Sequence, residues 1–249
     1  MIKIINDDVI EALKKIEDNS IDLIFVDPPY NIGKKYANEI LDKWKCKKEY
    51  LNWMHTWLEL AVEKLNKTGS LYIMNSTENI PHVDIYLQES DMHILSRIVW
   101  HYDSSGVQAK KYYGSLYEPI LFAVKNKKNY TFNHEDIMIE TVTGAKRNLI
   151  DYRKTPPQPY NKKKVPGNAW YYPRVRYMMK EYVKHPSQKP EAMLERIVKA
   201  SSNKGDIVLD LFAGSFSLGV VSKRLGRNYI GIEKSEEYCK TGENRIGIK

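Results

Sequence analysis

The feature that most limits the fold of this chain is the alternation of short apolar runs with amphipathic helical patterns along most of its length. Such alternation is typical of a mostly parallel sheet whose two faces are covered by helices. The pattern predicts a doubly wound α/β fold built on one seven-stranded, mostly parallel sheet. The predicted strands are residues 2–6, 22–27, 70–74, 94–100, 119–125, 206–212 and 229–233, and the predicted helices are residues 8–17, 49–66, 79–89, 190–202, 217–225 and 235–246.

Length and composition narrow the class of protein further. The 249 residues suffice for one α/β domain, or for one domain that carries an insertion. No apolar run approaches the roughly 20 residues that span a bilayer, and the N-terminal residues do not resemble a secretory signal. The sequence therefore favours a cytoplasmic protein. Cys46 and Cys239 have no CxxC or Cys/His ligand spacing, so neither a disulfide nor a metal site is expected.

The positive charge of the chain is concentrated in its middle. The net charge is +8, and residues 101–184 contain 16 Lys and Arg against 7 Asp and Glu, whereas the rest of the chain contains 23 against 24. The same segment holds 11 of the 18 tyrosines. Basic and aromatic side chains together suit phosphate contacts and base stacking, although a solvated loop that keeps the protein soluble is the alternative. The candidate DNA-binding residues are Lys162, Lys163, Lys164, Arg174 and Arg176.

The first candidate catalytic motif follows the second predicted strand, where the sequence reads DLIFVDPPYN. Ligands of open α/β sheets bind beyond the carboxyl ends of strands, which is where Asp27 lies. Pro28 and Pro29 stiffen the turn and remove two N–H donors, so the Asp27 carboxylate and the Pro28 carbonyl are presented as acceptors. With the ring of Tyr30, they match the exocyclic amine of a nucleobase. The alternative is that the two prolines merely turn the chain after a buried strand.

A second candidate motif follows the predicted strand DIVLDLF, where the sequence continues as AGSFSLG. Gly214 at the turn permits close backbone approach to a ligand, and a helix is expected to begin near Ser217. Neither the P-loop pattern nor GxGxxG is present. Glu233 ends the next strand, where a carboxylate can accept both hydroxyls of a ribose. Upstream, HPSQKP places Lys189 at a helix start within reach of a ligand carboxylate, and His185 is interpreted as structural.

These motifs, in this order, resemble those of the β-class amino-group DNA methyltransferases. NDDVIEALKKIEDNSIDLIFVDPPYN is similar to the opening of that family, HPSQKP to its methionine-carboxylate motif and FAGSFSLG to its cofactor loop. The resemblance implies a circularly permuted, Rossmann-like methyltransferase that uses S-adenosylmethionine and no metal. It also implies a catalytic half at 1–126, a target-recognition region at 127–184 and a cofactor-binding half at 185–249. The stretch from Gly167 to Pro190 looks closest to a solitary enterobacterial subgroup that methylates adenine in ATGCAT.

The resemblance also implies a role for each matching residue. Asp27, Pro28, Pro29 and Tyr30 would form the catalytic site that holds a flipped adenine. Asp8 would bind the adenine amino group of the cofactor, Glu233 its ribose and Lys189 its carboxylate. The cofactor would further be lined by Asp27, Phe212, Ala213, Gly214, Ser215, Phe216 and Ser217. One departure from the family pattern is Phe216, which replaces the second glycine of FxGxG and is expected to alter the loop backbone or narrow the methionine pocket.

The expected function is adenine-N6 methylation of double-stranded DNA, with a cytoplasmic, nucleoid-associated location. Cytosine-N4 methylation is the alternative within the enzyme class, since cytosine presents a similar amine. A catalytically silent DNA-binding module of the same fold, suggested by Phe216, is the alternative outside that class. A homodimer and a companion restriction endonuclease, both found among such enzymes, are left open as partners.

Overall fold

The computed structural model describes residues 1–37, 42–103, 109–142 and 147–248, and its core is one eight-stranded sheet. The strand order is β1-β12-β11-β2-β3-β5-β4-β10, and every pairing is parallel except the two made by β5. The strands are β1 (Ile2–Asn6), β2 (Ile21–Val26), β3 (Leu65–Met74), β4 (His93–His101), β5 (Tyr117–Val124), β6 (Ile139–Glu140), β7 (Ile150–Asp151), β8 (Gln158–Pro159), β9 (Lys163–Lys164), β10 (Ala169–Tyr171), β11 (Ile207–Asp210) and β12 (Asn228–Glu233). The helices are α1 (Val9–Leu13), α2 (Lys47–Lys64), α3 (Ile80–Glu89), α4 (Glu191–Ser201), α5 (Ser217–Arg224) and α6 (Glu236–Ile246).

Both faces of the sheet are buried, which explains why its strands are apolar without interruption. In β2, Ile24 and Val26 pack into the core formed with α1, α2 and α3, whereas Leu23 and Phe25 pack into the core formed with α4, α5 and α6. Successive strand residues point to opposite faces, so one continuous apolar run fills both cores. The doubly wound, mostly parallel fold predicted from the sequence is confirmed.

The number of strands and two helix boundaries differ from the prediction. The eighth strand, β10, lies within the basic middle segment and pairs with β4, so this segment extends the sheet edge. Helix α2 ends at Lys64 rather than at residue 66, because Leu65 takes extended backbone angles and pairs with Ile21 of β2. Helix α1 is only five residues long. Among the described residues, no helix is long and apolar enough to cross a membrane.

Residues 31–50, which follow the first candidate motif, make several contacts with the rest of the fold. Residues 47–50 already belong to α2, and Asp42 and Trp44 are hydrogen-bonded to the turn after β2. Residues 38–41 of this stretch lie outside the described residues. The stretch therefore supports the turn that contains the first candidate motif.

Candidate active site

The two candidate motifs are brought together because β2 and β11 are neighbouring parallel strands. Asp210 of β11 is paired with Phe25 of β2, so the residues that follow each strand emerge side by side. A cavity of about 240 Å³ lies between them and touches Asp27, Gly214 and Glu233. Its other lining residues include Asp8, Pro29, Tyr36, Trp44, Trp53, His185, Phe212 and Tyr238.

The turn after β2 is held by the buried carboxylate of Asp42. Its Oδ2 accepts hydrogen bonds from the backbone N–H groups of Tyr30 at 3.1 Å and Ile32 at 3.4 Å, and its Oδ1 accepts one from Asn31. Asn31 has a φ of 59°, in the left-handed region, so the three successive N–H groups converge on one anion. Burial raises the pKa of Asp42, and the hydrogen bonds from these N–H groups partly offset that effect.

The carbonyl groups of the same turn differ in whether they accept a hydrogen bond. The Pro29 carbonyl accepts from the Tyr50 hydroxyl at 2.9 Å, and the Tyr30 carbonyl accepts from the Asn79 side chain at 2.8 Å. Within the described part of the chain, no donor reaches the Pro28 carbonyl. Hydrogen bonds to the Pro29 and Tyr30 carbonyls thus fix the turn, and among the described residues the Pro28 carbonyl stays free to accept a hydrogen bond beside Asp27.

Four polar groups form a buried cluster around Asp27. The Tyr30 hydroxyl donates to Asp27 Oδ1 at 2.7 Å and lies 3.1 Å from Glu118 Oε2. Lys189 Nζ lies 2.5 Å from Asp27 Oδ2 and 3.7 Å from Glu118 Oε2. Burial, together with the two neighbouring carboxylates, raises the pKa of Tyr30 well above its ordinary value, so its hydroxyl stays protonated. Lys189, expected from the sequence to meet a cofactor carboxylate, here contacts two carboxylates of the protein.

The loop after β11 is held by Glu233, whose two oxygens accept from different backbone groups. Oε2 accepts from Gly214 N–H at 2.9 Å, and Oε1 accepts from Ser235 N–H at 2.8 Å, where α6 begins. Gly214 has a φ of 49°, and a Cβ there would lie 2.8 Å from Nε2 of His185. Glycine is therefore required on both backbone and steric grounds. Burial lowers the pKa of His185 to about 3, so its imidazole is neutral beside the loop.

The side chain of Phe216 points into the protein core. Its φ of 57° is the left-handed conformation that the family's glycine favours, but its ring is fully buried and packs against Gly242 of α6. A Cβ on Gly242 would come within 2.5 Å of the ring, so this glycine makes room for it. The pocket that Phe216 was expected to narrow is therefore not filled by this side chain.

A smaller cavity of about 30 Å³ adjoins the loop on its other side. It is lined by Asp27, Lys189 and Asp210, together with Phe212, Ala213, Gly214, Ser215 and Ser217 among others. Asp210 is 3% exposed; its Oδ2 accepts from the Tyr229 hydroxyl at 3.2 Å, and its Oδ1 has no hydrogen-bond partner among the described residues. Burial raises the pKa of Asp210 to about 8. A buried acceptor without a donor is costly, which marks this oxygen as able to receive a ligand's donor.

A third cavity, of about 240 Å³, also adjoins the turn after β2 and shares Tyr36 and Ser187 with the first. It is lined by Pro28, Tyr30 and Glu118, and its outer walls include Lys34, Tyr102, Tyr117 and Arg174. The Arg174 guanidinium lies 5.2 Å from the centre of the Tyr102 ring. Arg174, expected from the sequence to contact DNA, thus lies at the mouth of a cavity beside Asp27.

The remaining predicted residues lie away from these cavities or at their edge. Lys162, Lys163 and Lys164 are exposed, and two of them form β9. Arg176 is paired with Asp103 at 2.8 Å. Asp8 lines the first cavity and caps α1, its Oδ1 accepting from Ile10 N–H at 3.0 Å.

Sequence reasoning missed several residues of the site. Asp42 and Glu118 are single acids whose importance depends on contacts far along the chain, so no local pattern marks them. His185 was interpreted as structural, yet it lines both cavities next to Gly214. Trp44 and Trp53 lie 4.7 Å apart, centre to centre, on one wall of the first cavity. Trp53 lies in α2, whereas Trp44 precedes that helix, so no helical spacing in the sequence links the two rings.

A mostly parallel sheet with an Asp-Pro-Pro-Tyr turn and a glycine-containing loop at neighbouring strand ends defines the methyltransferase class of α/β proteins. A family model described as DNA methylase matches residues 21–244, so the chain belongs to the DNA methylase family and is a DNA methyltransferase.

Curated relatives agree with this assignment. The chain is 56% identical over 245 residues to the DNA adenine methyltransferase YhdJ of Escherichia coli (strain K12), covering 98% of this chain and 82% of that protein. It is 37% identical to the type II methyltransferase M.HpaI of Haemophilus parainfluenzae, covering 98% and 74%.

Solved structures agree as well. The complex of M1.HpyAVI with S-adenosylmethionine has a TM-score of 0.65 and 27% identity, covering 98% of this chain and 100% of that one. The cytosine-N4-specific PvuII DNA methyltransferase has a TM-score of 0.72 at 16% identity, covering 98% and 86%, and supports the fold alone.

Proposed function

We propose that this chain transfers a methyl group from S-adenosylmethionine to the N6 amine of a flipped adenine in double-stranded DNA. The observation that carries the proposal is the position of Asp27, which lines the first cavity, with Gly214 and Glu233, and lies beside the third cavity, with Pro28 and Tyr30. A cofactor in the first cavity and a base in the third would therefore meet at Asp27. Each cavity is lined by residues of the turn after β2, Asp27 and Pro29 in the first and Pro28 and Tyr30 in the third.

The residues around the first cavity fit S-adenosylmethionine. When bound, this cofactor supplies an electrophilic methyl group on a sulfonium. Glu233 and Asp8 offer carboxylates to the ribose and the adenine amine, and the aromatic wall of Trp44, Trp53 and Phe212 offers flat apolar surface. In the adjoining smaller cavity, Oδ1 of Asp210, which has no hydrogen-bond partner among the described residues, fits the ammonium group of the amino-acid moiety. Gly214 lets this part of the loop backbone lie close to a ligand.

The residues around Asp27 fit the acceptor amine. The lone pair of an exocyclic amine is delocalised into the base, so the amine is a weak nucleophile. Asp27 and the free Pro28 carbonyl can each accept one N–H hydrogen bond, which favours the pyramidal nitrogen that attacks the methyl group. Tyr30 and the pair formed by Arg174 and Tyr102 offer surfaces on which a flipped base stacks. The nitrogen gains the methyl group as the methyl–sulfur bond of the cofactor breaks, and the amine then loses one N–H proton to solvent. The part played by the chain's own residues is positioning and hydrogen bonding.

Adenine is the preferred acceptor in this proposal. The support is the Asp-Pro-Pro-Tyr motif and the 56% identity to a relative named as a DNA adenine methyltransferase. The neighbour named as cytosine-N4-specific is 16% identical, so it does not favour cytosine. Resemblance of the stretch before Lys189 to an ATGCAT-methylating subgroup makes ATGCAT the first target sequence to test. The inward position of Phe216 removes the feature that suggested a catalytically silent module.

The basic middle segment is the proposed DNA-reading region. We propose that residues 127–184 recognise the target between a catalytic half at 1–126 and a cofactor-binding half at 185–249, and that Lys162, Lys163 and Lys164 contact phosphates. Arg176 is proposed to contact DNA beside its partner Asp103. A nucleoid-associated location follows from DNA as the substrate. A homodimer and a companion endonuclease remain hypotheses that solution mass and co-purification test.

The decisive experiment is methylation by the wild type and by Asp27→Ala, read out by modification-sensitive sequencing of DNA from expressing cells. The wild type should modify adenine at one short sequence. The variant should leave DNA unmodified because the amine loses its charged acceptor, while its affinity for S-adenosylmethionine stays close to that of the wild type. Modified cytosine would replace the adenine assignment, and ordinary turnover by Asp27→Ala would remove Asp27 from the mechanism. Asp91→Asn, an exposed acid, is the control.

A further inference from the structure

Lys189 is a buried ammonium group whose contacts all come from the protein. Its side chain is 6% exposed and lies two residues before α4, with Nζ 2.5 Å from Asp27 Oδ2 and 3.7 Å from Glu118 Oε2. Nζ also donates to the backbone carbonyl and the hydroxyl of Ser187, both at 3.3 Å. The three N–H donors of the ammonium thus have three acceptors at hydrogen-bond distance, Asp27 Oδ2 and the two oxygens of Ser187, and Glu118 is an ion-pair partner.

The energetics of this arrangement favour a charged lysine. Burial alone would lower the pKa of Lys189, but Asp27 and Glu118 outweigh that effect and raise it above its ordinary value. Without the lysine, Asp27 and Glu118 would be two carboxylates bridged by one tyrosine hydroxyl in a buried site. Such pairs do not both remain ionised, because like charges at short range favour protonation of one member.

Glu118 gives the Tyr30 hydroxyl a second acceptor. The hydroxyl donates to Asp27 Oδ1 at 2.7 Å, and Glu118 Oε2 lies 3.1 Å from the same oxygen. The hydroxyl can therefore turn to Glu118 without losing its hydrogen bond, which frees Asp27 Oδ1 for an amine. Lys189 meanwhile holds Asp27 Oδ2 from the other side.

We infer that Lys189 is a positioning residue that holds and orients Asp27 for the target amine, with Glu118 as the carboxylate that holds both Lys189 and the released Tyr30 hydroxyl. This inference rests on the proposed function and replaces the cofactor carboxylate as the partner of Lys189. The Asp27 carboxylate held by Lys189 then faces the amine on which positive charge develops during transfer.

The test separates the two roles of Lys189 by comparing Lys189→Met with the wild type. Calorimetry measures the Kd for S-adenosylmethionine and for decarboxylated S-adenosylmethionine, which lacks only the carboxylate. Single-turnover methylation measures the chemical step. If Lys189 positions Asp27, both Kd values should stay close to those of the wild type, while the transfer rate falls by about 100-fold or more, as when a charged group is lost from a catalytic site.

The opposite result would overturn the inference. A cofactor-carboxylate role predicts that Lys189→Met weakens binding of S-adenosylmethionine by about tenfold or more, the loss expected for one charged hydrogen bond, and leaves the decarboxylated analogue unaffected. Transfer at saturating cofactor would then be near that of the wild type. A wild-type chain that binds the cofactor but methylates no DNA would instead refute the proposed function, and it is recognised before any variant is made.

Two further variants keep the test decisive. Lys64→Met removes another buried lysine, which is paired with Asp18 at the far end of α2, and should leave transfer unchanged. If Lys189→Met does not fold, Glu118→Gln decides, because it preserves the shape of the side chain and removes only the charge that holds Lys189. It should slow transfer without weakening the cofactor Kd, and an unchanged transfer rate would overturn the inference.

Discussion

The turn after β2 and the loop after β11 lie side by side at the same sheet edge, yet they are held in opposite ways. The turn is fixed by polar side chains from elsewhere in the chain, namely Asp42, Tyr50 and Asn79. The loop is fixed by an apolar anchor, the buried ring of Phe216, and by Glu233. Each has one residue in the left-handed region that is not glycine, Asn31 and Phe216 respectively.

The difference follows from what each segment must present. The turn must keep the Asp27 carboxylate and the Pro28 carbonyl free as acceptors. Its N–H groups and its other carbonyls are therefore hydrogen-bonded to side chains from elsewhere in the chain. The loop must bring its backbone close to a ligand, so its anchoring side chain points into the core and Gly214 faces the cavity. Breaking either anchor should therefore damage a different function.

The largest effect is expected for Phe216→Gly, which removes the apolar anchor of the loop. Loss of a buried Phe ring costs about 3–5 kcal/mol, and relief of the left-handed strain returns about 1–2 kcal/mol, so the net loss in free energy of unfolding should be about 1–4 kcal/mol. Urea denaturation measures it. Phe216→Leu, which keeps apolar volume and strain, is the control and should lose less. Equal stability of Phe216→Gly and the wild type would show that the ring is not the anchor.

A smaller effect on stability, but a larger one on transfer, is expected for Asp42→Asn. The amide can still accept from part of the backbone but places a donor against another N–H group, which should cost about 1–3 kcal/mol of unfolding free energy. The transfer rate should fall because Asp27 loses its fixed position, while the cofactor Kd should change little. Asp91→Asn is the matched control. A raised Kd for the cofactor with an unchanged transfer rate would show that Asp42 supports cofactor binding and not the position of Asp27.

The parts of the molecule that sequence reasoning predicted are those set by local pattern. All seven predicted strands are present, since an apolar run between turns marks a strand buried on both faces. Asp27, Gly214 and Glu233 line one cavity, because neighbouring parallel strands place their carboxyl ends together. The individual roles proposed for these residues remain predictions.

The parts that were missed depend on contacts between distant residues. The three-residue strand β10 lies in a proline-bearing run with no clear period, so only its pairing with β4 defines it. The inward direction of Phe216 depends on Gly242, 26 positions later, where the absence of a side chain creates the space. Asp42 accepts hydrogen bonds from three N–H groups that converge on its carboxylate only once Asn31 adopts its left-handed conformation.

The smallest expected effect is on the pH dependence of stability, and it compares Asp27 and Asp210, the aspartates at the ends of the two neighbouring strands. Asp27 is paired with Lys189, whereas Asp210 has one oxygen without a partner, and burial raises the pKa of Asp210 to about 8 from a reference value of 3.8. The folded state therefore retains a proton that the unfolded state releases. Stability from this group is complete below about pH 4 and is lost as the pH rises towards about 8.

Asp210→Asn cannot titrate, so its unfolding free energy relative to the wild type should rise across this pH window and level off above it. Urea denaturation at several pH values measures the difference, with Asp91→Asn as the control. If the Asp210 oxygen receives the ammonium of S-adenosylmethionine, saturating cofactor should reduce the pH dependence in the wild type, because a nearby cation favours the ionised carboxylate. Parallel pH curves for the variant and the wild type would show that Asp210 does not retain its proton across this pH window.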